Sequence, residues 1–308
     1  MNILLTGATG FVGHRMLQVM KSDEYWRVTA AARQSLSTPG VCSALVGHID
    51  GHTAWQDILS GQQVVIHAAG RAHMAAGSQP ASITEYREVN VEGTVNLARQ
   101  AAAAGVERFV FISSIGVNGS HNQHPFTETD TPSPVGPYAI SKWEAEQALW
   151  RIQRDTGMEV VIIRPPLVYG PNAPGNFGAL VRWVERGVPL PLGAVHNQRT
   201  LVARDNLVDL VLTCARHPAA ANQLFLAGDD EDLSTTDLLK GVAQAAGRPS
   251  RLVPVPASVL MFGASLLGRR AMAQRLLGSL QVDIQKARHL LGWAPPVSVA
   301  QGLNACFV

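Results

Sequence analysis

A glycine-rich loop with the spacing G-x-x-G-x-x-G follows a short apolar run at the start of the chain. Glycines let the backbone turn sharply and approach a pyrophosphate, and the helix that follows presents free amides to negative charge. A loop that directly follows a strand and opens a helix predicts a dinucleotide site at the start of a Rossmann-type domain. The residues that we expect to contact the dinucleotide are Gly7, Thr9, Gly10, Phe11, Val12 and Gly13.

Strands and helices alternate through the first half of the sequence. This alternation predicts an α/β fold with a doubly wound parallel sheet, covered by helices on both faces and connected by right-handed crossovers. The predicted strands cover residues 2–5, 27–32, 63–69, 108–114 and 159–164, and the predicted helices cover residues 11–20, 84–104 and 137–156.

The pattern changes after residue 170, where loops rich in proline and glycine interrupt shorter helices. We therefore predict an NAD(P)-binding Rossmann domain over residues 1–170. A smaller substrate-binding region over residues 171–308 is expected to interleave with that domain and to cap the ligand edge of the sheet.

Composition limits the classes of partner. Charged residues are only 16% of the chain, the net charge is +2, and no run of Lys or Arg indicates nucleic-acid binding. Cys42, Cys214 and Cys306 are far apart and lack metal-ligand spacing, so we expect free thiols, no metal site and a reducing compartment.

No targeting segment precedes the first predicted strand, and the expected location is the cytoplasm. The longest apolar stretch, Ala257 to Leu267, is too short to span a bilayer. A stretch of this length is compatible with a peripheral contact to a membrane surface, but nothing else in the sequence supports such a contact.

Tyr138 and Lys142 lie four residues apart, on one face of the predicted helix 137–156. A nearby ammonium group favours the phenolate and is expected to lower the pKa of Tyr138, which then serves as acid or base. Ser114 closes a predicted strand at the carboxyl edge, where its hydroxyl is placed to hold a substrate oxygen. A Tyr and a Lys four residues apart are also typical of an ordinary amphipathic helix. Because this pair occurs together with the glycine loop and the strand-end Ser114, the catalytic interpretation is the better one.

With these residues, the whole chain resembles the extended short-chain dehydrogenases/reductases, within the NAD-dependent epimerase/dehydratase family that modifies nucleotide sugars. The motifs that carry the resemblance are the glycine loop, His67-Ala68-Ala69-Gly70, Asn90-Val91-Glu92-Gly93-Thr94, Ser113-Ser114, the Tyr138/Lys142 pair and Arg164-Pro165-Pro166-Leu167-Val168-Tyr169-Gly170-Pro171.

The resemblance implies roles for individual residues. It makes Ser114, Tyr138 and Lys142 a catalytic triad. It implies that Asn176, Arg199 and, in a part that aligns poorly, Arg275 hold a substrate diphosphate. The further residues that it places around the cofactor are His48, Ile49, Ala68, Ala69, Gly70, Asn90 and Pro165.

The choice between NAD and NADP stays open. An acidic residue at the end of the second strand would accept a hydrogen bond from the ribose of NAD, but the sequence there is Ala31-Ala32-Arg33. Arg33 could meet a 2′-phosphate, which modestly favours NADP. The Asp that relatives use near adenine corresponds to His48, although a register shift could bring Asp50 there.

Departures from the family narrow the reaction. Ile115-Gly116 stands where dehydratases have an Asp-Glu pair for the elimination, so a dehydratase is disfavoured. Leu167 stands where many relatives have Asn, so the sugar subsite lacks an amide at that point. The pattern is most similar to bacterial enzymes acting at C4 of UDP-linked N-acetylhexoses for surface-polysaccharide synthesis. A 4-keto-6-deoxy sugar reductase is slightly favoured because weak adenine contacts suit an exchanging cofactor.

Three alternatives remain. They are a UDP-hexose 4-epimerase with tightly bound NAD, a reductase of steroid-like or flavonoid-like ketones, and a dinucleotide-binding regulator without catalysis. The resemblance also implies a homodimer formed through the helices at residues 84–104 and 137–156.

Overall fold

The computed structural model describes residues 1–34, 36, 38–72 and 82–307. Its strands are β1 Asn2–Thr6, β2 Arg27–Ala32, β3 Cys42–Leu45, β4 Val64–His67, β5 Arg108–Ile112, β6 Glu159–Arg164, β7 Leu167–Tyr169, β8 Arg199–Ala203, β9 Gln223–Leu226 and β10 Asp232–Leu233. Seven of them form one parallel sheet in the order β3-β2-β1-β4-β5-β6-β9. The prediction of a Rossmann-type doubly wound sheet is confirmed.

The helices are α1 Phe11–Met20, α2 Gln56–Leu59, α3 Ile83–Arg87, α4 Thr94–Ala103, α5 Pro137–Thr156, α6 Gly175–Glu185, α7 Arg204–Arg216, α8 Thr235–Ala245, α9 Ala257–Leu266, α10 Arg270–Leu277, α11 Gln285–Leu291 and α12 Val299–Asn304. None of these described helices is both long and apolar enough to cross a membrane.

Alternate residues of each central strand enter the two cores on opposite faces of the sheet, as a period of two requires. Ile3 and Leu5 of β1 pack in the core that includes α1 and α7, whereas Leu4 packs in the core that includes α4 and α5. Strands buried on both faces read as continuous apolar runs, which is why these strands were recognisable in the sequence.

The predicted helix 84–104 is wrong as a single α-helix. The chain forms α3, then a π-helical turn over Glu88–Gly93, and then α4. Such wide turns are frequent at functional sites, and this one contains Asn90. Apolar periodicity does not distinguish a π turn from an α turn, so the sequence pattern could not show it.

A second sheet, in the order β10-β8-β7, and the helices α6, α8 and α12 surround a third apolar core. After residue 171 the chain builds the smaller sheet and its helices, but two later elements, α7 and β9, return to the large sheet. α7 packs against α1, and β9 pairs in parallel with β6 at the edge of the large sheet.

Candidate active site

The glycine loop joins β1 to α1 in a turn that has no room for side chains. Gly7 has a φ of +73°, and a Cβ there would lie 2.7 Å from the backbone of Ala68. A Cβ on Gly13 would lie 2.1 Å from the carbonyl oxygen of Gly7. The Gly10 amide closes the turn by donating to that same oxygen at 2.9 Å. No side chain therefore covers the backbone of Gly7 and Gly13 at the N-terminus of α1.

A cleft of about 480 Å³ lies along this loop at the carboxyl edge of the sheet. The predicted cofactor contacts that line it are Gly7, Thr9, Gly10, Arg33, His48, Ile49, Ala68, Ala69 and Gly70. Five further lining residues that the sequence pattern did not indicate are Val46, Gly47, Arg71, Ala72 and Val89. The ends of β1, β2 and β4 thus converge on one space.

The cleft wall at the end of β2 carries no carboxylate among the described lining residues. Arg33 and His48 are exposed in the cleft. Asp50, which a register shift would have placed near adenine instead of His48, is not among the lining residues. Its carboxylate accepts from the His52 amide at 2.8 Å and from the Thr53 hydroxyl at 3.1 Å, and the first of these lowers the pKa of Asp50. Asp50 is thereby used to close its own loop.

Ser114 and Tyr138 are brought together at the end of β5. Ser114 lies two residues beyond the strand, where its hydroxyl accepts from the Gly116 amide at 3.1 Å and also hydrogen-bonds the Tyr138 phenol. Gly136 has a φ of +86° immediately before α5, which allows Tyr138 to stand in the first turn of that helix. The predicted pairing of a strand-end serine with the helix tyrosine is present.

Lys142 lies one turn further along α5 and is buried. Its ammonium donates to the carbonyl oxygen of Ile112 at 2.9 Å and stands 4.4 Å from the centroid of the Phe111 ring. Burial lowers the pKa of Lys142 to about 8, and Glu146 opposes that shift.

The expectation that Lys142 lowers the pKa of Tyr138 is wrong for this arrangement of side chains. Burial raises the pKa of Tyr138 to about 12, and Tyr86 adds to that effect. The reason is geometric, since the ammonium is hydrogen-bonded to the end of β5. Tyr138 is therefore protonated at neutral pH, as an ordinary phenol also is, and the raised pKa makes it a weaker acid.

Asn90 connects the cleft to this catalytic group. Its amide oxygen accepts from the Arg71 backbone amide at 2.8 Å, and its amide nitrogen donates to the Arg71 carbonyl at 3.0 Å and to Ser141 at 3.0 Å. A Cβ on Gly70 would lie 3.2 Å from Asn90 Oδ1 and 3.3 Å from Lys142 Nζ. Gly70 is thus the point where the cleft meets α5.

Tyr86 is a residue of the site that the sequence patterns did not reveal. It is buried, and its ring lies edge-on to that of Tyr138 with the centroids 6.1 Å apart. The available signal was its position four residues before Asn90 on the same predicted helix.

A buried chain of polar groups supports Asn90 from beneath. His67 contacts the Thr6 hydroxyl at 2.7 Å through Nδ1 and the Thr94 hydroxyl at 3.0 Å through Nε2. Thr94 in turn donates to the Asn90 carbonyl at 2.8 Å. Burial, with a smaller contribution from Lys142, lowers the pKa of His67 to about 3, so this ring is neutral and structural.

A second buried network underlies Ser114. Arg164, at the end of β6, forms an ion pair with Glu146 of α5 at 2.5 Å and donates to Asn118 at 2.8 Å. Ser113 donates to the same Glu146 carboxylate. Both charged side chains are almost inaccessible to solvent, and the network joins α5 to the segments that follow β5 and end β6.

The remaining predicted site residues are spread over the C-terminal region. Asn176 is exposed in the first turn of α6. Arg199 Nη1 donates to the carbonyl oxygens of Arg275 at 2.8 Å and Gly278 at 3.0 Å, so that guanidinium ties β8 to the end of α10. The Arg275 side chain is exposed. Pro165 is buried, and its carbonyl accepts from Ile115 at 2.9 Å.

Two predicted members of the glycine loop stand away from the cleft wall. Phe11 lies in the first turn of α1, where the Arg204 guanidinium is 5.2 Å from its ring centroid, and it packs against the third core. Val12 packs against the core on the α1 face of the sheet.

Comparison with known proteins agrees with the fold and identifies the family. The profile of the NAD-dependent epimerase/dehydratase family matches residues 3–228. The chain is 43% identical to a UDP-glucose 4-epimerase from Vibrio cholerae, over 98% of this chain and 93% of the relative. It is 27% identical to an N-acetyl-α-D-glucosaminyl-diphospho-ditrans,octacis-undecaprenol 4-epimerase from Escherichia coli O157:H7, over 98% and 93% of the two chains.

The fold is also similar to a solved structure of a UDP-glucuronic acid 4-epimerase from Bacillus cereus in complex with NAD. The TM-score is 0.81 at 20% identity, with 100% of this chain and 96% of the other covered. The resemblance inferred from the motifs is confirmed: the chain belongs to the NAD-dependent epimerase/dehydratase family.

Proposed function

We propose that this chain is a nucleotide-sugar oxidoreductase that acts at C4 of a UDP-linked N-acetylhexose. The observation that carries the proposal is the meeting of the cleft and the catalytic group at Gly70, where a Cβ would lie only 3.3 Å from Lys142 Nζ. A cofactor in the cleft would end beside Ser114, Tyr138 and Lys142. The experiment is a panel of UDP- and dTDP-sugars, with and without NADPH, read by product NMR.

The residues of the cleft fit a nicotinamide dinucleotide. Because Gly7 and Gly13 have no side chains, a pyrophosphate can approach their backbone closely. The N-terminus of α1 favours a negative charge there. When bound, the dinucleotide supplies or removes the hydride at C4. The residues proposed to hold it are Gly7, Thr9, Gly10, Phe11, Val12, Gly13, Arg33, His48, Ile49, Ala68, Ala69, Gly70, Asn90, Tyr138, Lys142 and Pro165.

Each catalytic side chain has a defined task in this proposal. Tyr138 donates its proton to the C4 oxygen of a ketone, because its phenol is protonated near neutral pH and the alkoxide that forms when hydride arrives is a stronger base than the phenolate. Ser114 holds the same oxygen and orients the phenol through their hydrogen bond. Lys142 is fixed by the Ile112 carbonyl and holds the ribose beside them.

Within this class we favour a 4-keto-6-deoxy sugar reductase for surface-polysaccharide synthesis. A reductase must exchange its cofactor in every cycle, and the adenine-side wall offers Arg33 and His48 while Asp50 is engaged in its own loop. Arg33 also favours NADP. We expect Arg33→Ala to weaken NADPH binding about tenfold and to leave NADH nearly unaffected.

A UDP-hexose 4-epimerase is the second candidate, favoured by the activity of the 43% identical relative. An epimerase keeps its nicotinamide through the cycle, so the two candidates differ in bound cofactor. Nucleotides released from the purified protein by denaturation are to be quantified. We expect less than one cofactor per chain and an absolute need for added NADPH. Stoichiometric NAD, with UDP-hexoses interconverted without added cofactor, would establish the epimerase instead.

Asn176, Arg199 and Arg275 are proposed to contact the substrate diphosphate. Arg199 also ties β8 to α10, so Arg199→Ala is expected to reduce stability as well as binding. Arg275→Ala removes only an exposed guanidinium and is the cleaner test. If Arg275→Ala and Arg199→Lys both leave binding unchanged, an apolar ketone becomes the better substrate.

The quaternary structure and location are also proposals. We propose a homodimer in the cytoplasm, formed through α4 and α5, which pack side by side in one chain. Light scattering is expected to give twice the mass of one chain. If the protein were a regulator without catalysis, cells that carry Tyr138→Phe would have the wild-type phenotype, because such a protein binds the dinucleotide without turnover.

A further inference from the structure

The helix α9 is an apolar helix that the described part of the chain leaves uncovered. It has no charged residue, and none of its ten residues is buried. Val259, Phe262 and Leu266 are 56%, 68% and 72% exposed, and Leu267, just after the helix, is 75% exposed. A helix that is apolar all round normally lies in a core or in a membrane. An exposed patch of this kind indicates a contact with a partner or a bilayer.

The sequence on both sides of this helix carries charge of one sign. Residues 238–282 include no Asp or Glu but six basic residues: Lys240, Arg248, Arg251, Arg269, Arg270 and Arg275. Arg269, Arg270 and Arg275 follow α9 directly and are exposed. They form no ion pair with any carboxylate in the described ranges. Because α10 packs against α9, the apolar and cationic surfaces adjoin.

Charge complementarity selects the occupant. In a two-fold dimer the same surface meets itself, which would bring two sets of arginines together without an acidic residue from this segment. A membrane surface with anionic phospholipids offers acyl chains to the apolar helix and phosphates to the arginines. It satisfies both parts of the surface at once.

We propose that residues 257–277, the α9–α10 hairpin, dock the protein on a membrane that contains anionic phospholipids. Phe262, Leu266 and Leu267 enter the interface, and Arg269 and Arg270 contact lipid phosphates, while Arg275 stays with the proposed substrate diphosphate. The hairpin joins the site through Arg199, which is hydrogen-bonded to the Arg275 carbonyl at the end of α10. Docking is independent of the proposed reaction, and it keeps the proposed diphosphate contacts next to the lipid surface.

The test is flotation of the purified full chain with vesicles. The probes are phosphatidylcholine alone and phosphatidylcholine with about 30% phosphatidylglycerol, at about 0.05 M and 0.5 M salt. We expect binding to the anionic vesicles at low salt, a marked loss at high salt, and little binding to the neutral vesicles. Failure of the wild type to float with anionic vesicles at low salt overturns the proposal.

Two double variants separate the apolar and cationic contributions. Phe262→Glu with Leu266→Glu, and Arg269→Glu with Arg270→Glu, are each expected to reduce bound protein about tenfold or more. The matched controls are Leu45→Glu, 69% exposed on β3, and Arg151→Glu with Arg154→Glu, exposed on α5. These controls are expected to bind vesicles like wild type. An equal loss of binding in the controls would show that a change of net charge or solubility, and not the α9–α10 surface, causes the loss.

Two further measurements keep the result interpretable. The thermal midpoint and NADPH binding of each variant report the fold, and Leu267→Glu alone replaces the first variant if that variant does not fold. Sedimentation velocity reports assembly. If the α9 variants change the oligomeric state while no form of the protein binds vesicles, the surface is a contact between copies and the membrane proposal is wrong.

Discussion

Glu146 and Arg164 form an ion pair of 2.5 Å beneath the active site, with both side chains almost inaccessible to solvent. Glu146 follows Tyr138 and Lys142 at intervals of four residues on α5, and Arg164 ends β6. The pair therefore fixes the helix that carries Tyr138 against the strand next to β5.

Removing one partner is expected to leave the other charge buried and unpaired. Glu146→Ala should lower the free energy of unfolding by about 3–5 kcal/mol, as measured by urea denaturation. The matched control is Glu144→Ala on the same helix, whose carboxylate pairs with Arg87 at the surface. The control is expected to have little effect, since exposed pairs stabilise weakly. Equal losses in the two variants would contradict this account.

Glu146→Gln tests whether the same carboxylate also tunes the site. Glu146 raises the pKa of Lys142 against the larger effect of burial. Its removal should lower the pKa of Lys142 below about 8. If the charged ammonium is needed, the alkaline fall of kcat/KM moves to lower pH. A purely structural role would change the rate without moving that fall.

The glycine loop predicts a local effect of Gly13→Ala. The new Cβ would lie 2.1 Å from the Gly7 carbonyl oxygen, so the loop must shift away from its cofactor-binding geometry. We expect NADPH binding to weaken about tenfold or more, measured by titration calorimetry. Gly263→Ala, where no atom lies within 4 Å, should bind NADPH normally. Wild-type affinity in Gly13→Ala would show that the loop does not hold the cofactor.

The role of Tyr138 predicts a selective loss of turnover. Tyr138→Phe should lower kcat by about 10²- to 10⁴-fold with a much smaller effect on cofactor affinity, because the ring beside the cofactor cleft stays and only the hydroxyl is lost. Tyr86→Phe is the control, since the neighbouring ring keeps its packing and loses a hydroxyl that donates to the Ala72 carbonyl at 3.4 Å. Unchanged turnover in Tyr138→Phe would remove this residue from the mechanism.

The buried His67 predicts a pH dependence of stability. Its folded pKa of about 3 lies below the ordinary value of 6.5, so between these values the unfolded chain takes up a proton that the folded protein does not. Stability is therefore lost as pH falls through this window, by at most about 1.4 kcal/mol per pH unit from this group. Urea denaturation at several pH values should show a shallower slope for His67→Gln. The exposed His124→Gln is expected to keep the wild-type slope, and an unchanged slope in His67→Gln would refute the assignment.

Much of the fold was predictable because its signals are local. The buried parallel strands are continuous apolar runs, and the loop from Gly7 to Gly13 stands between a strand and a helix. The approach of Ser114 to Tyr138 also followed from general geometry, since strand ends and helix starts meet at one edge of such a sheet.

The rest depends on contacts that no local pattern encodes. The π turn at Asn90 has the apolar periodicity of an α-helix, and the direction of the Lys142 ammonium depends on the Ile112 carbonyl. Glu146 and Arg164 read as ordinary charges until the fold buries them together. The apolar sequence of α9 indicates burial, yet the structure leaves it exposed.

The most direct test of the proposed reaction follows a labelled hydride. The protein is to be incubated with a UDP-4-keto-6-deoxy-N-acetylhexosamine and NADPH in which both C4 hydrogens of the nicotinamide are deuterium, and the product is to be examined by NMR. We predict one deuterium at C4 of the sugar, and no product from Tyr138→Phe. A product without deuterium at C4, or interconversion of UDP-hexoses without added NADPH, would contradict the reductase.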